Sequence, residues 1–371
     1  MPIGKTKRSR TSSSYNAGFL EGAAQGKSDG RWQGQCEAIM QATQLPVQKR
    51  PVHILYVASG KELPYSSLDQ GIAAALAEAA ERTTVMQPTD PVVPFAIGER
   101  PDLVLVLDGT RFEAENVQLL RMHGIRTAVW LTDDPYYMSF TSGYAPLFDY
   151  VFTPERNCVP VYQQLGAANV VNLPLGIHPG SYRPRNARRE LRGDVCFIGS
   201  AYRNRLELFR TILPALSHRK LHISGYWWEQ LEIPPSFNGT FGPGRWMDPL
   251  ETAENYSANR IAINIHRAID DERNENDILI PAASPNPRTF EISACGTLQL
   301  VDAREDIGSY YVPDEEIVTY GSVEELLGKL EHYLTHEEER QRIAWRALLR
   351  TMRDHTFAAR VSRLLDTAQL G

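Results

Sequence analysis

Between residues 51 and 184, short apolar runs alternate with longer amphipathic stretches. His53–Ala58 (HILYVA), Asp102–Leu107, Arg126–Leu131, Tyr150–Thr153 and Val170–Leu173 read as strands. Leu68–Arg82, Ala114–Met122 and Val159–Leu165 between them read as helices. The strands are apolar throughout rather than alternating, which is the pattern of a parallel sheet covered on both faces. The alternation ends near Tyr182 and restarts after an arginine-rich link, Arg183–Arg192. Strands follow at Asp194–Ile198, Leu221–Ser224, Ile261–Ile265 and Leu298–Val301, with helices at Arg205–Ala215, Thr289–Cys295 and Val323–Leu334. The expected fold class is therefore α/β, with two doubly wound parallel-sheet domains over 51–184 and 185–353 facing a cleft. Ligands bind in such folds at the carboxyl ends of the strands. The charged stretch Glu337–Leu370 reads as helical, and residues 354–371 are expected to pack back on the first domain.

Residues 1–50 break this pattern. Gly18, Gly22, Gly26, Gly30 and Gly34 recur every four residues, which on a helix gives a smooth, slowly drifting stripe. Each glycine disfavours a helix by about 1 kcal/mol relative to alanine. The segment is thus either a helix stabilised by a partner, including a second copy of the chain, or unstructured.

Composition narrows the field. A net charge of −6 over 371 residues gives no global reason to expect nucleic acid or an anionic membrane as partner. Lys5, Lys7, Arg8 and Arg10 form a basic leader in a Ser/Thr-rich context, best read as a solvated tail. No apolar run approaches the roughly 18 residues of a membrane span, and no apolar stretch of a secretory signal follows the leader. Cys36, Cys158, Cys196 and Cys295 are widely spaced, as expected of unpaired thiols in a reducing compartment. A cytoplasmic protein is expected.

The strongest local signal is Asn286-Pro287-Arg288-Thr289-Phe290-Glu291, continuing to Gly296-Thr297. A carboxylate is expected in the first turn of a short helix, where free N–H groups suit a phosphate and a Glu suits a ribose diol. Glu291 could equally complement the helix dipole, with Gly296 a C-cap. A second signal is Gly199-Ser200-Ala201-Tyr202-Arg203-Asn204-Arg205 after a strand, where a glycine admits a ligand and an arginine could meet a diphosphate. Arg205 is the preferred arginine, and an ordinary strand-to-helix turn is the plain alternative. A third is Asn264-Ile265-His266-Arg267 at a strand end, with His266 and Arg288 as cleft candidates. Gly225-Tyr226-Trp227-Trp228 could stack on a base or fill the core. Asp133 and Asp134, in Leu131-Thr132-Asp133-Asp134-Pro135, could supply a general base or simply make a turn.

With these residues in view, the chain resembles the GT-B glycosyltransferases, and among them the CgeB-like spore maturation family. The resemblance runs from about Val52 to Leu365 and is densest over Asn264–Thr356. It implies that Glu291 binds the ribose of a nucleotide-sugar donor, most simply a UDP-sugar, and that the Gly199–Arg205 loop faces its diphosphate. It implies no required cofactor, and it discounts Mg²⁺ at the paired aspartates. His178, in Gly176-Ile177-His178-Pro179, falls at the hinge, where relatives often have Asp. Many retaining relatives carry a second acid eight positions before this glutamate, where this chain has Ala283. The expected activity is sugar transfer to an unknown acceptor, whether glycan, protein or small molecule. A non-catalytic nucleotide- or glycan-binding structural protein of the same fold, placed at a spore surface, and a sugar-nucleotide epimerase are the alternatives.

Overall fold

The computed structural model describes residues 7–43, 48–233, 235, 237–242 and 244–370. A long helix, α1 (Lys7–Ala42), precedes the first sheet. That sheet holds β1 (Arg50–Val57), β2 (Ala80–Met86), β3 (Leu103–Leu107), β4 (Thr127–Trp130), β5 (Tyr150–Thr153) and β6 (Asn169–Asn172). All pairs are parallel, in the order β2-β1-β3-β4-β5-β6. Helices α2 (Tyr65–Ala79), α3 (Val92–Glu99), α4 (Ala114–Met122), α5 (Met138–Tyr144) and α6 (Cys158–Gln164) connect the strands. Alternate residues feed two cores. Ile54, Tyr56, Leu103 and Leu105 point to one face, and Leu55, Val57, Val104 and Val106 to the other.

The second sheet contains β7 (Gly193–Ile198), β8 (Leu221–Ser224), β9 (Gly239–Phe241), β10 (Asn259–Asn264), β11 (Leu298–Asp302) and β12 (Val318–Tyr320). Its order is β12-β11-β10-β7-β8-β9, again parallel throughout. Around it lie α7 (Arg203–Leu216), α8 (Pro249–Ala258), α9 (Pro287–Ala294), α10 (Val323–Thr335) and α11 (Glu337–Asp354). The final helix, α12 (Phe357–Thr367), returns to the first sheet and packs Phe357, Val361 and Leu364 with Ile72 and Leu76 of α2.

The chain thus crosses between the sheets twice, and the two crossings touch. The Ile177 amide donates to the His355 carbonyl (3.0 Å) and the Phe357 amide to the Ile177 carbonyl (2.8 Å). A Cβ at Gly176 would lie 2.8 Å from the Thr356 carbonyl carbon, so glycine is what allows the approach. His178 sits beside this crossing, with Nδ1 3.5 Å from the Ser181 hydroxyl.

The first 50 residues resolve one alternative. The segment is helical from Lys7, and Trp32, Cys36, Ile39 and Met40 near its C-terminal end pack against Phe290, Ala294 and Leu348. Asp29 pairs with Arg192 at 2.8 Å. The glycine stripe plays no part in this docking: a Cβ on any of the five would meet nothing within 4 Å. Lys5 lies outside the described residues. All four cysteines are free and buried. No helix among the described residues is long and apolar enough to cross a membrane.

Candidate functional site

In both sheets the strand order reverses at one point, between β1 and β3 in the first and between β7 and β10 in the second. Crevices open at the carboxyl ends of strands at such points. In the second sheet this crevice is bordered by Gly199–Tyr202 after β7 and by Ile265–Arg267 after β10. The Gly199 amide donates to the Ser224 carbonyl (2.8 Å) and the Ala201 amide to the Tyr226 carbonyl (2.9 Å). Gly225 has φ +135°, and a Cβ there would lie 2.2 Å from the Gly199 oxygen. The loops after β7 and β8 are therefore pressed together, and Ser200 is buried within them.

Arg205 does not reach out of this loop. Its Nη1 donates to the Ser200 carbonyl (2.9 Å), while Nε and Nη2 donate to the Ile265 carbonyl (3.2 and 2.7 Å). The group is buried, which lowers its pKa to about 10 yet leaves it charged at neutral pH. Its expected placement against a diphosphate is corrected accordingly: the guanidinium braces β7 against β10. Trp228 is likewise spent, donating from Nε1 to the Gly199 carbonyl (2.8 Å) inside a core with Phe197 and Phe209. Tyr226 and Trp227 stay half-buried at the rim.

The start of α9 is fixed by a buried polar network. Asn286 caps the helix, accepting from the Thr289 amide (3.1 Å), and Pro287 occupies the first turn. The Asn264 side-chain amide donates to Asn286, Thr289 and Gln299. His266 holds both ends: its Nε2 accepts from the Asn286 amide (3.0 Å), so its proton lies on Nδ1, 2.7 Å from Asp302. Burial pushes Asp302 up, but His266 and Arg304 together outweigh it and hold the carboxyl below its usual range. With both ring nitrogens engaged, His266 positions α9 rather than serving as a base.

Glu291 lies one turn deeper than expected, with no acidic residue in the first turn of α9. This weakens the helix-dipole alternative, since that effect fades beyond the first turn. Burial pushes its carboxyl up, against the pull of Arg288 and a hydrogen bond from the Tyr182 hydroxyl. Arg288 anchors by Nε to the Ile198 carbonyl (2.7 Å), leaving both Nη groups for other partners, and its guanidinium carbon is 5.8 Å from the Trp246 ring. Nearby, the buried Tyr256 hydroxyl feels both Glu291 and Arg288 and has no hydrogen-bond partner among the described residues. A buried polar atom without a partner costs stability, and a bound polar ligand relieves it.

Across the cleft the two adjacent aspartates part company. Asp134 turns into the first unit and accepts from the Thr153 (2.7 Å), Thr141 (3.2 Å) and Tyr162 (2.9 Å) hydroxyls. Burial pushes its carboxyl up to about 6 against these hydrogen bonds. It is a structural group, and its candidacy as a base is corrected. Asp133 stays half-buried at the cleft, accepts from the Tyr65 hydroxyl, and is raised by burial while Arg267 and Lys61 pull it down. Sequence reasoning missed Lys61, Tyr65 and Asp108. Asp108 ends β3 with φ +66° and holds Lys61 at 2.6 Å and the Thr132 hydroxyl at 2.8 Å. The Asp-Gly pair directly after a buried strand was the signal available.

The Ala283 loop is also tied across the cleft. Glu155, after β5, accepts from the Ala283 amide at both oxygens (3.1 Å each) and from the Ser284 amide (3.0 Å). Among the described residues no group of three His, Cys, Asp or Glu side chains converges as a metal site.

This geometry has known counterparts. Residues 203–366 match a family model described as glycosyl transferase-like. The match falls on the second half of the chain, the part that carries the crevice described above. Over 249 residues the chain is 29% identical to the spore protein CgeB of Bacillus subtilis (strain 168), covering 66% of this chain and 76% of that protein. Its fold matches sucrose-phosphate synthase from Thermosynechococcus elongatus, with a TM-score of 0.58, 12% identity, and 86% and 98% of the two chains covered. It matches Anabaena HepE, solved in complex with UDP-glucose, with a TM-score of 0.58, 11% identity, and 86% and 99% covered. By fold this is a GT-B protein.

Proposed function

We propose that this protein transfers a sugar from a nucleoside-diphosphate donor of the uridine type to an acceptor hydroxyl. The observation that carries this reading is the half-buried Glu291 beside Arg288 and the partnerless Tyr256 hydroxyl. Glu291 accepts the ribose hydroxyls, and the free Nη groups of Arg288 meet the diphosphate across from the Gly199 loop. Arg205 and His266 hold the two walls of that site at fixed spacing. Asp133, desolvated and oriented by Tyr65, is the base candidate on the acceptor side. During transfer the bond from the anomeric carbon to the diphosphate oxygen breaks, and the acceptor oxygen bonds to that carbon. The acceptor proton passes to Asp133, and the arginine offsets the charge gathering on the departing diphosphate.

One observation favours a second reading, a nucleotide-binding protein without turnover. Ala283 stands where many retaining relatives have an acid, and its amide is bound to Glu155.

Thermal-shift titration with uridine, thymidine, guanosine and adenosine diphosphates, on wild type and Glu291→Ala, tests the site. A specific ligand adds about 2.7 kcal/mol of apparent stability at a hundred times its dissociation constant. We expect a shift with UDP that the variant, still folded, does not show. No shift with any of the four at millimolar concentration would refute a donor site. Release of UDP from a bound UDP-sugar then separates the enzyme from the binding protein.

A further inference from the structure

Arg267 follows β10 by three residues and lies between aromatic rings of both units. Its guanidinium carbon lies 4.3 Å from the centre of the Tyr202 ring and 5.0 Å from that of Tyr136. Tyr202 closes the loop after β7, whereas Tyr136 follows β4 of the first unit, so the side chain is stacked between the two halves of the molecule. The Tyr136 hydroxyl also donates to the Arg267 carbonyl (3.0 Å), fixing the backbone from the same direction.

The polar atoms of this guanidinium are mostly unspent. One Nη donates to the Arg273 carbonyl (2.6 Å), and Nε is buried with no partner among the described residues. Arg203 pairs with Asp270 (2.7 Å), and Arg205 is consumed by backbone carbonyls. Arg304 also has a buried Nε without a partner among the described residues, but its charge is met by Asp302 (3.6 Å), whereas no carboxylate pairs with Arg267 among the described residues. Arginine cannot shed its charge, so a buried, partnerless N–H on a guanidinium calls for an anion. Asp133 feels Arg267 from across the cleft, but the two form no ion pair. Tyr202, on which Arg267 lies, ends the Gly199 loop, and a Cβ at Gly199 would lie 3.4 Å from Arg288 Nε, so both guanidiniums flank the same loop.

We propose that Arg267 is a second diphosphate-binding cation, held ready by the Tyr136–Tyr202 stack and closing on the phosphates from the side facing the first unit. This assignment rests on the donor reading above. The two rings fix the plane of the guanidinium before any ligand arrives, so little side-chain entropy is lost on binding. The fork-shaped donor set matches two phosphate oxygens, which a lysine would meet as a point charge.

Calorimetric titration with UDP, and ligand-observed NMR titration with uridine, on wild type, Arg267→Gln and Arg267→Lys, test it. Arg267→Gln should weaken UDP tenfold or more and leave uridine unchanged; Arg267→Lys should weaken UDP at least threefold, again sparing uridine. Unchanged UDP affinity in the variants would overturn the proposal, and so would equal losses for UDP and uridine, since that pattern marks a merely structural role. Should Arg267→Gln not fold, the lysine variant decides by its threefold criterion. A wild type that binds neither ligand sinks the donor reading itself, and is thereby told apart from failure at Arg267 alone.

Discussion

Replacing Asp134 by asparagine separates a buried structural carboxylate from a catalytic one. Its carboxyl ionises near 3.8 when unfolded and near about 6 in the fold, because burial outweighs three hydroxyl hydrogen bonds. Between these values the folded protein keeps a proton that the unfolded chain has released. Its contribution to stability is therefore present below pH 3.8 and is lost as pH rises through about 6. The full difference of about two pKa units corresponds to roughly 3 kcal/mol, of which about 1.4 kcal/mol falls between pH 5 and pH 8. An asparagine has no charge to bury, and its amide can serve the Thr141, Thr153 and Tyr162 hydroxyls. Relative to wild type, Asp134→Asn should thus gain about 1.4 kcal/mol from pH 5 to pH 8, because the titrations of groups not coupled to Asp134 cancel in the difference and the coupling to Asp133 is the weakest of the influences on its carboxyl. Urea unfolding of both proteins at fixed ionic strength measures this. Parallel pH profiles, within about 0.5 kcal/mol, would show that the group does not titrate as argued. UDP affinity should not change, and a loss would return Asp134 to the site.

Two further substitutions probe the scaffold of the cleft. Gly225→Ala places a Cβ against the Gly199 oxygen at φ +135°, and should cost more than about 2 kcal/mol in chemical denaturation. Gly124→Ala, at φ +70° with open space around it, is the control and should cost only about 1 kcal/mol; equal losses would mean the contact with Gly199 is unimportant. Glu155→Gln sets an amide N–H against the amides of Ala283 and Ser284, and should cost about 1–3 kcal/mol and speed proteolysis within residues 268–286. Unaltered stability and cleavage would show that this tie does not hold the loop.

The architecture was legible because its central strands are continuous apolar runs. β1, β3, β4, β5, β7, β8, β10 and β11 all fall on stretches that could be picked out by hydrophobicity. What escaped lies at the sheet margins. β2 (AERTTVM) is an edge strand with exposed alternate residues, and the alanine-rich pattern of α2 ran on into it. β9 and β12 are three residues each, too short to register a period. The candidates' places in the fold were legible, since each lies in a loop after a strand, at the start of α7 or on α9. The direction each side chain takes was not legible. Arg203 and Arg205 are two residues apart on one helix, yet one meets Asp270 at the surface and the other is buried against carbonyls. Asp133 and Asp134 are adjacent, yet face the cleft and the core. Such outcomes depend on partners brought in from elsewhere in the chain, Asp270 for Arg203, Ile265 for Arg205 and Tyr65 for Asp133, and no local pattern encodes them.

Those partners also indicate which side chains are left to meet a ligand. A polar group whose hydrogen-bonding capacity is filled inside the protein cannot also bind substrate without a compensating loss. Arg205, His266, Asn264, Asp134 and Glu155 are all of this kind, and each ties one segment of the chain to another. Arg288, Glu291, Tyr256 and Arg267 keep capacity in hand among the described residues, Arg288 and Arg267 beside the loops after β7 and β10 and Tyr256 buried within reach of the charges of Glu291 and Arg288. Asp133, bound by Tyr65 alone, faces them from the first sheet. The unfilled groups on the second sheet include two guanidiniums, a hydroxyl and a carboxylate, which suits an anion joined to a polyol. The unfilled carboxylate on the first sheet suits a group that gives up a proton. On the proposed reading, a nucleotide sugar meeting a hydroxyl acceptor satisfies both halves at once.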